Sequence, residues 1–388
     1  MYIPQFNPRV RKNRKNGLFS FEIRDNEGKT VEHQSGFKTQ REAENVALAI
    51  QQKLRQGYTL DRHTSLFDWF QTWYDLRIRP KKNLSKVTKK NYQIYGRTIK
   101  RLFGDKAIVD IKATEYQRIM NIYGENVGYD YLSRINSIIR KTIKLAQADK
   151  IFIDDFTASV ELFAGKESQS SDEKYIHSVK DYTRLVHYLE NNLNYEESIV
   201  NHILFVLAKT GLRYGELIGL TTPDVNFEEH YIHTYRRYNT SIWAWTKAKN
   251  ETSIRYVPID NKTIKVLQDL KHDQYLINKQ LQRTNKERFV FFHYGLENDI
   301  PSIATVNKAL KRILGELDIF PEITTKGLRH TYGSYLLHNN IDMGVVAKIL
   351  GHKDIQMLIK VYGHTMTERI DKEFKEVEKI MSQTTTER

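Results

Sequence analysis

The 388 residues contain no cysteine, which removes disulfides, thiolate zinc sites, iron–sulfur clusters and thiol nucleophiles together. Any covalent chemistry must use oxygen or nitrogen. Long apolar runs are missing too: nothing approaches the roughly 20 uninterrupted apolar residues that a membrane helix needs, so no membrane span is expected. The first 17 residues carry five basic side chains but no apolar stretch of the kind a secretory signal requires, and the expected location is the cytoplasm. There is no internal repeat, and one short polar tract is the only low-complexity segment.

Acidic residues are scarce where basic ones are dense. The net charge is +14 and the pI about 9.4, which calls for a polyanionic partner, nucleic acid before an acidic membrane surface. Residues 1–165 hold 30 basic and 18 acidic side chains, against 31 and 29 in the rest. The excess therefore sits in the first half. Within it, Arg77 to Arg101 has ten basic residues, no carboxylate, and Tyr92 and Tyr95 interleaved. A solvated helix face is the ordinary fate of such a run. Complete absence of carboxylates over this length favours a surface that tracks phosphates.

A 40% hydrophobic share with 28% charged residues reads as soluble and globular, and the length suggests two or three domains. The expected fold class is multidomain α+β. Residues 1–60 alternate as strands over Leu18–Arg24 and Thr30–Phe37 around a turn at Asn26–Gly28. Thr39 then caps a helix over Gln40–Gln56 whose stripe is Ala43, Val46, Ala47, Ile50 and Leu54. This is a small three-stranded sheet with one helix, and Gly57 to Arg62 reads as linker-like. Residues 61–165 have helical spacing throughout. The stripes are Leu66, Trp69, Phe70, Trp73 and Leu76; Tyr92, Tyr95, Ile99 and Leu102; and Tyr131, Ile135, Ile138, Ile139 and Ile143. Their aromatics are read as core rather than as base-stacking platforms. Residues 166–174 are polar and aperiodic, an exposed linker. Residues 175–388 mix helices with a small β-sheet, Val225 to Pro258, turning at Asn226–Glu229 and Lys247–Thr252.

The candidate chemistry lies in this last region. Thr210-Gly211-Leu212-Arg213-Tyr214-Gly215-Glu216-Leu217 follows an apolar helix and opens another, presenting a guanidinium beside helix N-termini, a good place for a phosphate. Taken alone, an arginine in such a turn is more often held in a structural ion pair, here with Glu216 as the candidate partner. A second arginine stands in Thr325-Lys326-Gly327-Leu328-Arg329-His330-Thr331, and Leu350-Gly351-His352 precedes Tyr362-Gly363-His364 by ten residues. Two Arg, candidate Lys, a His and a Tyr suit phosphoryl transfer without metal. The rival use of His330, His338, His352 and His364 as metal ligands lacks the i, i+4 spacing of a helical zinc pair.

In their order, TGLRYGEL, a lysine-bearing hairpin followed by SIRYVPI, LRHTYGS, LGHKDIQ and VYGH resemble the tyrosine recombinases of the phage integrase family. SGFKTQREAE resembles the arm-binding domain of integrases from conjugative transposons and phages of Gram-positive bacteria, and residues 61–165 their helical core-binding domain. The resemblance implies that Arg213 and Arg329 clamp the scissile phosphate and that Tyr362 attacks it, giving a 3′-phosphotyrosine and a free 5′-hydroxyl. It implies a hairpin lysine as general acid, Lys249 by counting back from Arg255, with Lys247 as the alternative. His352 would bond the phosphate or steady the nucleophile. Lys326 departs from the family, where His is usual; it can donate to phosphate but must lose a proton to act as base.

The resemblance further implies double-stranded DNA attachment sites as partners, a homotetramer on DNA, an accessory directionality factor, and no cofactor, neither ATP nor metal. Thr365 to Glu368 reads as a capping box before a C-terminal helix, which packs on its own domain or on a neighbour. A type IB topoisomerase shares the same catalytic set, and a silent DNA-binding protein could share the fold. The separate basic N-terminal module argues against the first, and retention of Tyr362 with both arginines against the second.

Overall fold

The structure, a computed structural model, describes residues 7–166, 172–352 and 381–382. Tyr362, His364 and the capping box at Thr365 lie outside the described residues, as does most of the expected C-terminal helix. The chain divides into two compact units, Met1–Ser168 and Gln169–Arg388.

The first unit opens with an antiparallel sheet, β1 (Asn7–Lys12), β2 (Phe19–Arg24) and β3 (Thr30–Phe37), in that order. Helix α1 (Gln40–Arg55) covers it. Thr39 caps α1 by accepting a hydrogen bond from the Glu42 N–H at 3.2 Å, as Ser, Thr, Asp and Asn do at helix starts. Ala43, Ala47, Ile50 and Leu54 are buried with Phe21 and Ile23. Strand β1 went unread in the sequence because its alternating residues are mainly basic and carry little apolar signal.

Four helices follow: α2 (Leu66–Arg77), α3 (Lys86–Phe103), α4 (Ala113–Gly124) and α5 (Tyr129–Ala148). A reciprocal pair, Ser65 and Asp68, starts α2. The aromatics pack inward: Trp73 on Tyr92 at 5.8 Å, Tyr95 on Tyr131 at 5.3 Å, and Phe103 on Tyr116 at 5.6 Å between ring centroids. One stripe position differs from expectation. Leu76 is 61% exposed, and Tyr74, four residues after Phe70, is buried instead. Of the ten basic residues from Arg77 to Arg101, eight are exposed and Lys89 and Lys100 are half-buried.

The segment from Gly57 to Arg62 is not a free tether. The Thr59 N–H donates to the Lys150 carbonyl at 2.9 Å and the Phe152 N–H to the Thr59 carbonyl at 2.9 Å, a parallel bridge between Thr59 and Ile151. Leu60 and Phe152 pack against the N-terminal core. The Arg62 guanidinium reaches the buried Glu32 carboxylate of β3 at 2.7 Å and Asp110 at 3.3 Å. The sequence does not reveal these bonds because backbone pairing leaves no compositional trace.

In the second unit, α6 (Val179–Asn191) and α7 (Val200–Thr210) lead to the short α8 (Tyr214–Ile218). Helix α7 is buried on nearly every side and is the central helix, as an all-round apolar surface requires. Strands β4 (Val225–Asn226), β5 (Tyr231–Thr234) and β8 (Arg255–Pro258) form one antiparallel sheet in the order β4-β5-β8. Between β5 and β8 runs a separate two-stranded ribbon, β6 (Arg236–Asn239) with β7 (Ala244–Lys247). The β-region thus holds two sheets, and the ribbon reverses at residues 240–243, a turn the alternation had not marked. Helices α9 (Asn261–Gln280), α10 (Ile303–Glu316), α11 (Thr325–His338) and α12 (Met343–Leu350) complete the unit. Among the described residues no helix is long and apolar enough to cross a membrane.

Candidate active site

Two left-handed glycine turns build the centre of the second unit. Gly211 ends α7 at φ +61° and Gly351 ends α12 at φ +64°, a conformation that L side chains rarely adopt. A Cβ on Gly211 would fall 2.4 Å from Tyr332, and one on Gly351 would fall 2.6 Å from the Thr252 carbonyl. Both turns aim carbonyls at arginines. Arg329, on α11 and only 4% exposed, donates from Nη1 to the Gly211 carbonyl at 2.8 Å and from Nη2 to the Leu350 carbonyl. Arg213, the residue just before α8, donates from Nη2 to the Gly351 carbonyl at 3.1 Å. The two guanidinium groups are thereby held on one turn, immediately ahead of His352.

Glu216 fixes the first arginine from below. Its side chain is 4% exposed and accepts from Arg213 Nη1 at 2.6 Å and from the Arg213 N–H at 3.1 Å. It also accepts from Arg255 Nη2 at 3.0 Å, and Arg255 is 5% exposed. Burial opposes the charge on Glu216, but Arg255 and Arg213 overcome it and hold the carboxyl below its usual range. Arg255 also donates to the Ile349 carbonyl, so the start of β8 is bound to the end of α12. The ion pair between Arg213 and Glu216 considered from the sequence is present, and it orients the arginine.

His352 is half-buried, and burial with the charges of Arg329 and Arg213 lowers its pKa to about 4. It is neutral at physiological pH, and its Nδ1 makes no hydrogen bond among the described residues. His330 is lowered to about 4 as well, by burial first and then by Lys326 and Arg329. Among the described residues no group of three His, Asp or Glu gathers as a metal cluster.

The lysines stand further out. Lys326 is exposed in the first turn of α11, one helical turn before His330 and on the helix that carries Arg329. Neither hairpin lysine occupies the ribbon's turn: Lys247 is the last residue of β7, and Lys249 is exposed in the bend beyond it. A groove of about 620 Å³ runs beside them, lined by Tyr235, Arg236, Trp245, Lys247, Asn250 and Ile254. Arg236 stacks over the Trp245 ring there at 4.1 Å.

Arg213, Arg329 and His352 are thus brought together, Lys326 and Lys249 lie in adjoining segments, and Tyr362 is outside the described residues. In the sequence, Ser253 and Arg255 stand out only as part of SIRYVPI, with Arg255 the landmark for counting back to Lys249. Arg255 sits at an inward position of an alternating strand, and a charge there signals a buried partner.

A cationic, partly desolvated centre of two oriented guanidinium groups and a neutral imidazole is the kind of site that holds a phosphodiester. Comparison with known proteins gives the class. Residues 177–369 match the phage integrase family. The chain is 25% identical over 368 residues to a XerC-like tyrosine recombinase of Caldanaerobacter subterraneus, covering 88% of this chain and 90% of that one. It is 31% identical over 196 residues to the integrase of Staphylococcus phage L54a, covering 48% and 54% respectively. The Tn1549 transposon integrase, solved with transposon right end DNA, superposes with a TM-score of 0.61 at 17% identity, over 79% of this chain and 100% of that one. The chain belongs to the phage integrase family and is a tyrosine recombinase, an enzyme that breaks and rejoins DNA strands.

Proposed function

We propose that this recombinase integrates and excises a mobile element or prophage by cleaving double-stranded attachment sites through a 3′-phosphotyrosine at Tyr362. The observation that carries the assignment of roles is the convergence of Arg213 and Arg329 on the Leu350–Gly351 turn ahead of His352. Planar, permanently charged forks match the non-bridging oxygens of a pentacoordinate phosphorane and need no proton transfer. An isolated phenol of pKa about 10 is ionised to roughly one part in a thousand at neutral pH. The two guanidinium charges favour its loss of a proton, and neutral His352 can accept a hydrogen bond from it.

Lys249 is the general acid for the leaving 5′-oxygen in this reading, with Lys247 the alternative. Lys326 supplies a cation to the developing phosphorane charge. Residues 1–60 bind arm-type sites, 61–165 the core site, and 175–388 carry the catalytic centre. Conservative exchange of two sites needs one nucleophile for each of four strands, hence a homotetramer, and an accessory factor sets direction. The enzyme works on DNA in the cytoplasm, and the phosphotyrosine stores the bond energy, so that neither ATP nor metal is required.

Incubation with a nicked suicide site tests the central step. It should trap a protein–DNA adduct that survives denaturant and disappears in Tyr362→Phe. An undiminished adduct in that variant refutes the assignment.

A further inference from the structure

A general acid must meet the leaving oxygen as its bond to phosphorus breaks, yet Lys249 stands in an exposed bend beyond β7. One buried hydroxyl ties this bend to the arginines. Ser253 is 1% exposed. Its Oγ accepts a hydrogen bond from Arg213 Nη1 at 3.2 Å and donates to Oδ1 of Asn250, the residue after Lys249. The main chain closes the same loop, with the Ser253 N–H donating to the Asn250 carbonyl at 3.0 Å. Thr252 Oγ1 donates at 3.3 Å to the Gly351 carbonyl that Arg213 also holds. Among the described residues Lys247 has no such link. It is paired with Arg236 across the ribbon, and its carbonyl accepts from Arg237 Nε at 3.1 Å.

We infer that Ser253 is a positioning residue that couples Lys249 to Arg213, so that the general acid and the phosphate clamp are placed as one unit. The inference rests on the proposed role of Lys249 and deepens it. In cleavage the Tyr362 phenol releases its proton to water and its oxygen bonds to phosphorus, the bond from phosphorus to the 5′-oxygen breaks, and that oxygen keeps the electron pair and takes a proton from the Lys249 ammonium. If sulfur replaces the bridging 5′-oxygen, the leaving group is a thiolate whose conjugate acid has a pKa of about 8.5, and it departs without a proton. Sulfur therefore relieves a defect in proton delivery and leaves a defect in the arginine clamp unrelieved.

The test uses the full chain on suicide sites with oxygen or sulfur at the scissile 5′ position. Lys249→Ala should lose about 10²- to 10⁴-fold on oxygen and recover on sulfur. Ser253→Ala and Asn250→Ala should each lose about 10- to 100-fold on oxygen, as misplacement of a reacting group does, and come within about threefold of wild type on sulfur. Ser253→Thr, which keeps the hydroxyl, should restore cleavage of the oxygen site. The coupling is overturned if Lys249→Ala is relieved by sulfur while Ser253→Ala and Asn250→Ala are not, or if these two cleave oxygen sites at the wild-type rate. Relief of Lys247→Ala alone overturns both the coupling and the choice of lysine. Relief of neither lysine variant refutes the general-acid reading, and the coupling with it. Should Ser253→Ala lose its cooperative melt, Asn250→Ala, at a half-buried position, decides the matter.

Discussion

Replacing Glu216 by Gln removes one negative charge from between two arginines and leaves the side chain's shape. Arg213 is 28% exposed and keeps part of its hydration, whereas Arg255 is 5% exposed and depends on this partner. The substitution therefore strands one buried guanidinium, and breaking a buried pair in this way costs about 3 kcal/mol or more. At about 2–4 °C per kcal/mol for a domain of this size, the melting temperature should fall by about 6–12 °C. Cleavage should fall by about 10²-fold, because one amide oxygen cannot accept from both Arg213 and Arg255, and Arg213 loses the carboxylate charge that aims it. Stability against pH gives an independent reading. A carboxyl held below its usual pKa contributes fully above the unfolded value near 4.5 and loses that contribution as the pH drops through the folded value. Glu216→Gln should flatten that acid limb. Adding Arg255→Met removes the stranded charge, so the double variant should regain stability without regaining cleavage. Differential scanning calorimetry and suicide-site cleavage measure the two arms. A double variant as unstable as Glu216→Gln, or a single variant that melts within about 2 °C of wild type, refutes the stranded-charge argument.

The basic run from the end of α2 through the connection into α3 should act through phosphate contacts: changing Lys81, Lys82, Lys86 and Lys90 to Ala should lower the slope of log affinity against log salt by up to about 3.6, at about 0.9 per phosphate lost. An unchanged slope by fluorescence anisotropy would assign the run to a bare solvated face. Lys326→His should give cleavage a new pH limb near about 6 to 7, and Lys326→Ala should slow cleavage at every pH; a Lys326→Ala variant as fast as wild type leaves the residue no catalytic part. His330, buried with its pKa lowered to about 4, should make the second unit lose stability as the pH falls from about 6.5 toward 4, because the unfolded chain takes up the proton first. His330→Asn should reduce that slope in thermal melts, and equal slopes would count against a buried neutral imidazole. Adduct formation should persist in EDTA, and its loss on chelation would contradict the metal-free reading.

Much of this was legible in the sequence. The α1 and α5 stripes, the Thr39 cap and the inward aromatics follow from apolar spacing, because burial on one face leaves a period that can be counted. Arg213 and His352 stand beside Gly211 and Gly351, which mark turns, whereas Gly327 lies inside α11 and Arg329 was singled out by its motif alone. The register of the ribbon could not be read: Val225 to Pro258 is short strands rich in charge and tyrosine, and alternation alone does not say which pair with which. Leu76 was misassigned because Tyr74 and Leu76 fit the stripe about equally well on spacing. Arg255 and Ser253 were hidden for a different reason, since their importance lies in partners 39 and 40 residues away, and no local pattern encodes those distances.

The Thr59–Ile151 bridge and the Arg62 contacts to Glu32 and Asp110 make one body of the N-terminal sheet and the helical bundle. In a protein proposed to read arm and core DNA with these two parts, the spacing between the two readings becomes a dimension of the protein rather than of a flexible leash. Attachment sites then carry a phase as well as a sequence. Inserting about 5 base pairs between arm and core would turn one site to the opposite side of the duplex, and inserting about 10 would bring it back. Sites used by this recombinase would accordingly drift in length by whole helical turns, and freeing Arg62 would relax that arithmetic.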